Sequence, residues 1–169
     1  MANELSTLGI KFGYAAETTA DTKPTAFTQI LGCKSLPELN SEPSQIDVTP
    51  LEETGFKRYI PGLQDIGGAF GIGFNLSADL VDAWGDVCDA AETAKAANKS
   101  MWYEIFIPNM TNGFYFTGEP TKLAWGGAEV DAGLETTCYI TVNQIKGWDT
   151  AIEPDDPNES SGGGSGVGG

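Results

Sequence analysis

The segment from Leu134 to Trp148 alternates along its whole length. Leu134, Thr136, Cys138, Ile140 and Val142, followed by Gln144, Lys146 and Trp148, take one side; Glu135, Thr137, Tyr139, Thr141 and Asn143 take the other. A period of two belongs to an extended chain, whose successive side chains point to opposite faces. One apolar and one polar side therefore predict a long, half-buried antiparallel strand. The pattern recurs. Leu8, Ile10, Phe12 and Tyr14 alternate with Gly9, Lys11 and Gly13, and Phe70, Ile72, Phe74 and Leu76 with Ala69, Gly71, Gly73 and Asn75. Phe114 and Phe116 share a face, and residues 27–33, 56–60 and 101–107 also read as strands.

One stretch changes period. Leu80, Trp84, Val87, Cys88 and Ala91 recur at helical spacing, with Asp82, Asp86, Asp89 and Glu92 mostly off that stripe. Ser77 suits the N-cap and Asp79 the first turn, so a helix is expected over about 78–97. Gly85 weakens its middle by about 1 kcal/mol relative to alanine, leaving a kink or a break open. One helix among many strands predicts an antiparallel sheet system covered by a helix on one face or edge. Trp84 and Trp148 fall on apolar faces and are expected in the core; Trp102 and Trp125 are open candidates for a sugar-binding platform.

The charge excludes several functions. Nine basic and 24 acidic residues with no histidine give −15 over 169 residues. Such a chain repels phosphate, so nucleic-acid clamping and binding to an anionic membrane are not expected. Without histidine there is no Ser-His-Asp triad, Cys-His dyad or imidazole metal site. No stretch approaches the ~20 apolar residues of a membrane span, and the start lacks the basic and apolar regions of an export signal. Cys33, Cys88 and Cys138 are expected as reduced core thiols. The acid pairs Glu52-Glu53 and Asp155-Asp156 are poor catalytic partners, because neighbours in an extended chain face apart. Residues 67–73 are glycine-rich but lack a phosphate-loop spacing and lysine, so no cofactor is expected. Gly67, Gly71 and Gly73 instead strip one face of a strand, predicting close approach by another backbone, a helix or another subunit.

Two regions stand apart. Residues 150–169 are acidic and then Gly/Ser-rich, which predicts a solvated tail behind a body of 1–149. Residues 44–66 are apolar enough to be ordered yet carry Pro50, Glu52, Glu53, Lys57 and Arg58 at their turn, so they read as a long hairpin standing off the core. Local positive charge on an acidic protein suits a self-complementary docking arm. The residues alone leave an ordinary surface hairpin equally open.

At this hairpin the sequence resembles the major tail tube proteins of long, non-contractile-tailed (siphovirus-type) bacteriophages. The resemblance rests on Ile46-Asp47-Val48-Thr49, Leu51-Glu52-Glu53, Arg58-Tyr59-Ile60-Pro61-Gly62-Leu63, Asp65-Ile66-Gly67 and Asn75, in that order. Leu8 to Ala15, Ile30-Leu31-Gly32, Leu36 to Leu39, Trp102 to Ile105 and Gly113 to Gly118 extend it over most of 5–148. It implies a mainly β fold, an antiparallel β-sandwich or barrel-like domain with one flanking α-helix and a protruding hairpin. It also implies a non-enzymatic virion protein, assembled in the host bacterial cytoplasm, whose hexameric rings stack head to tail into a hollow tail tube. Partners would be other copies of itself, a tape-measure protein and tail-tip or terminator proteins, with genome DNA passing unbound through an acidic lumen. The arm would then fasten ring to ring through Pro50, Leu51, Phe56, Lys57, Arg58, Tyr59 and Ile60. Glu38, Glu42 and Asp47, which precede or begin it, are the candidate lumen acids. The alternatives are a carbohydrate-binding β-sandwich module using Trp102 or Trp125, and a secretion-tube ring protein of related fold.

Overall fold

A computed structural model describes residues 8–40, 43–66 and 68–158. Seven strands form one sheet: β1 (Lys11–Ala16), β2 (Thr28–Gln29), β3 (Cys33–Ser35), β6 (Ala69–Asn75), β7 (Met101–Phe106), β8 (Asn112–Pro120) and β9 (Glu135–Thr150). Two more, β4 (Pro43–Asp47) and β5 (Tyr59–Gln64), form a separate ribbon, and a helix, α1 (Ala78–Ala96), lies between β6 and β7 in the chain. Every strand pairing is antiparallel.

The large sheet runs β2-β1-β7-β8-β9-β6-β3, so β2 and β3 occupy its opposite edges. Only residues 30–32 separate them in the chain. Such a link spans at most about 14 Å. The edges of a flat sheet of this size would lie about 29 Å apart at ~4.8 Å per strand. The sheet must therefore curl until its edges nearly meet. The link stitches the seam: Ile30 N donates to Phe12 O at 2.8 Å on one side, and Asn75 N donates to Gly32 O at 3.0 Å on the other. The predicted strand at 27–33 is split for this reason. It leaves one edge and joins the other.

The fold is thus mainly β and barrel-like with one helix. Inside the curl, Phe12 stacks on Tyr103 (5.9 Å between ring centres), Tyr103 on Phe116 (5.3 Å), and Phe116 meets Phe70 edge-on (5.2 Å). Leu80, Trp84, Val87 and Cys88 of α1 join this core. Ser77 is extended (φ −145°, ψ 164°) and its hydroxyl accepts from Leu80 N at 3.1 Å, which caps the helix. Trp84 Nε1 donates to Thr121 O at 2.8 Å, fixing the helix against the chain after β8. Gly85 introduces no break, since α1 is continuous from Ala78 to Ala96. Cys88 and Cys138 are buried and all three cysteines are free thiols.

Three expectations are corrected. Trp148 is not core: β9 shifts register against β8 twice and carries Trp148 to the far end of the ladder, beyond the buried cluster. There it is 56% exposed, edge-on to Phe114 at 5.3 Å. Trp102 is not open, being only 5% exposed and packed with Phe27 and Tyr115 on the outer face of the sheet. Nor does a solvated tail begin at residue 150. The chain crosses that outer face, where Ile152 packs on the Trp102 cluster and Pro154 is buried against Gly13. Gln29 N donates to Asp155 O and Asp155 N to Phe27 O, both at 2.8 Å, and a parallel bridge joins Thr28 to Asp155. Two apolar side chains and backbone bonding suffice to order an acidic segment when a waiting surface accepts both.

Candidate functional site

The β4/β5 ribbon stands as a sheet of its own. Ile46 pairs with Ile60 and Asp47 with Tyr59, and a register shift lies between Pro43 and Gln45. A Cβ on Gly62 would meet the Ser44 hydroxyl, so the two residues sit close across the ribbon. Pro61 lacks a ladder donor, which a two-stranded ribbon tolerates.

The tip is held by its own side chains. Thr49 N donates to Asp47 Oδ1 (2.9 Å), and Arg58 N donates to Thr49 Oγ1 (2.8 Å). Asp47 is consequently held below the usual carboxylate range by the Thr49 hydroxyl and backbone. Glu53 N donates to Pro50 O (3.0 Å), while the Glu53 carboxylate accepts from Gly55 N (3.0 Å) and lies 3.4 Å from Arg58 Nη2. Glu53 therefore shapes the turn. The strand expected over 56–60 begins only at Tyr59, because residues 48–58 form this tip.

Polar groups build the tip and apolar groups leave it. Leu51 is fully exposed and Phe56 is 88% exposed; Ile46, Val48, Tyr59, Ile60 and Leu63 are each about half exposed or more. Among the described residues, seven of the fourteen exposed large apolar side chains thus sit on this ribbon. A concentration of apolar surface on one projection marks an interaction site.

The other singled-out residues lie elsewhere. Glu38 is exposed in the connection before β4, hydrogen-bonded by Asn40 Nδ2 at 3.2 Å, and Asp47 sits within the ribbon. Glu42 and Gly67 lie outside the described residues. Gly71 and Gly73 belong to β6 in the curled sheet. A Cβ on Gly71 would meet Tyr139 Cε1 at 2.9 Å and Thr137 Cγ2 at 3.0 Å, and one on Gly73 would meet the Ser35 hydroxyl. Cross-strand side chains of the same chain, rather than a helix or another backbone, occupy that stripped face.

Two buried acids were not foreseen. Burial alone would raise Glu17, but hydrogen bonds from Trp102 Nε1 (2.7 Å) and the backbones of Ser100 (2.9 Å) and Asp21, with Lys146, hold it below the usual range. Glu104 is fully buried and burial pushes its carboxyl up, against Ile152 N, Tyr115 and Lys23. Tyr115 Oη lies 2.9 Å from Glu104 Oε1 and 2.7 Å from Thr150 O. Tyr115 Oη donates to Glu104 Oε1, which also accepts from Ile152 N at 3.0 Å. This buried pair fastens the chain where β9 turns onto the outer face. The single alternating pattern of each strand gave no sign of it. Among the described residues no cluster of three or more acids or thiols could hold a metal. No described helix is long and apolar enough to cross a membrane.

No protein-family model matches the chain, and no curated protein matches it. Several solved structures share its fold, among them the following three. One is a chain of the anti-feeding prophage baseplate, 6-fold symmetrised (6% identity, 86% of this chain and 96% of that one, TM-score 0.57). Another is from the tail of an empty GTA particle with C6 symmetry (11%, 88% and 100%, TM-score 0.52). The third is from the anti-feeding prophage cap that terminates the tube (12%, 89% and 94%, TM-score 0.53). At these identities the likeness shows a shared fold.

Proposed function

We propose that this chain is a non-enzymatic structural protein of a phage-like tail, one that joins copies of itself into rings and stacks the rings into a tube. The observation that carries the reading is the ribbon: ordered by its own hydrogen bonds, detached from the large sheet, and exposing its apolar side chains. The fold shared with 6-fold tail and baseplate chains supports a hexameric ring. A head-to-tail contact that does not close on itself propagates into a tube.

The finer features follow from the same reading. The particle is a siphovirus-type virion, assembled in the bacterial cytoplasm, and the tube encloses a tape-measure protein before it conducts DNA. A net charge of −15 lets DNA pass without adhering, since few bases are present to displace counterions. Glu38 and Asp47, both exposed, are the described candidates for the bore. The sugar-platform alternative loses Trp102, which is buried against Glu17.

Electron microscopy of the purified chain, with light scattering, tests the proposal. Tubes are expected, and deletion of residues 50–60 leaves rings or monomers. A chain that stays monomeric when concentrated, or a deletion variant that still forms full-length tubes, overturns it.

A further inference from the structure

We infer that the groove beside α1 is the seat that receives the arm tip of a second copy. This rests on the self-assembly proposed above and adds the receiving surface. The groove has a volume of about 400 Å³, within the roughly 300–1,000 Å³ of ordinary binding clefts. Leu31, Ala83 and Pro157 provide apolar lining, and Asp79, Asp82 and Asp86 line it too. The three aspartates follow the i, i+3, i+7 spacing of one helix face, beside Leu80, which lines the groove with them. None of them has an ion pair among the described residues.

The arm tip is the chemical complement. It presents Leu51 and Phe56 beside Lys57 and Arg58, with Glu53 held inside the turn and Glu52 exposed at the tip. Lys57 is exposed with no ion pair among the described residues, and Arg58 has only a surface contact with Glu53 at 3.4 Å. The tip is solvent-exposed within its own subunit, so it does not fill its own groove. From Pro43, an extended chain reaches Leu51 over at most about 29 Å, enough to bridge to a neighbour. The chain beyond Asn158 suits the groove less well, since residues 159–169 contain one acid, Glu159, and no base. Apolar side chains filling the groove would supply affinity, and the charges would set register and orientation.

The test is charge exchange. Asp82→Lys with Asp86→Lys, and separately Lys57→Glu with Arg58→Glu, change exposed positions; Asp79 is spared because it supports the helix N-terminus. Each pair is expected to raise the concentration needed for tubes at least tenfold, with unchanged melting, and the four changes together to restore assembly to within a few fold. Carbodiimide coupling of wild-type tubes built from mixed isotopic labels provides a second measurement that needs no variant. It is expected to join Lys57 of one copy to Asp79, Asp82 or Asp86 of another. The inference is overturned if wild-type tubes form but the groove variant assembles equally well, or if the aspartates couple only to the Met1 amine or not at all to Lys57. If the wild-type chain forms no assemblies, the self-assembly reading fails first and takes the seat with it.

Discussion

Removing both apolar side chains of the arm tip, as Leu51→Ala with Phe56→Ala, should separate assembly from folding. In the subunit the two side chains are fully and 88% exposed, so folding gains almost nothing from them. Substitutions at such positions change stability by about 0.5 kcal/mol or less. If each is buried in a neighbour, each contributes roughly 1.5–3 kcal/mol there. The double variant then loses about 3–6 kcal/mol per contact, and at ~1.4 kcal/mol per factor of ten the contact weakens by roughly 10²- to 10⁴-fold. Light scattering against concentration, with microscopy of the scattering species, reads the assembly threshold, and thermal melting reads the subunit. The threshold should rise by orders of magnitude while the melting temperature holds. An unchanged threshold refutes the arm's role in docking. A fall of several degrees in melting refutes the premise that the tip is unpacked in the free chain.

The buried acid and the strap it holds offer two more tests. Burial raises the carboxyl of Glu104 above its ordinary 4.5, so the folded chain keeps a proton that the unfolded chain releases. The stability that Glu104 contributes is therefore fully present below that ordinary value and is lost as pH climbs through the raised one. Glu104→Gln preserves the neutral shape and should flatten this fall; melting curves from pH 4 to 8 with the same slope in both proteins would contradict it. Ending the chain at Thr150 removes Ile152, Pro154 and the bonds to Phe27 and Gln29, uncovering Trp102 and Tyr115. A loss of about 2–4 kcal/mol is expected, and at ~2–4 °C per kcal/mol melting should fall by roughly 5–15 °C, with increased tryptophan quenching. Unchanged melting would show that the strap contributes nothing.

Much of the fold was legible because strands and helices write their periods directly into the chain. Phe12, Phe70, Ile72, Phe74, Cys138 and Ile140 are buried as their alternation requires, and Ser77 caps the helix with the side chain its type suggests. The paired ribbon β4/β5 falls where a hairpin is expected, while the residues alone leave a docking arm and an ordinary surface hairpin equally open. Trp148 was misplaced because a bulge leaves no mark in an alternating pattern. Trp102 and the strap were misjudged because strand β7 is covered on both faces, and the covering segments come from residues 27–30 and 151–157.

By itself, then, the sequence determined the element types, the apolar stripe of the helix, the separate ribbon and the acidity, because these depend on neighbours within a few residues. Only the tertiary structure decided the rest. Residues 30–32 cross between two edges and thereby force the sheet to curl, Glu104 meets Tyr115 and Ile152 in a buried pair, and three aspartates come to share a groove with Leu31 and Pro157. Each of these joins groups distant in the chain, and such contacts exist only once the backbone has closed around them.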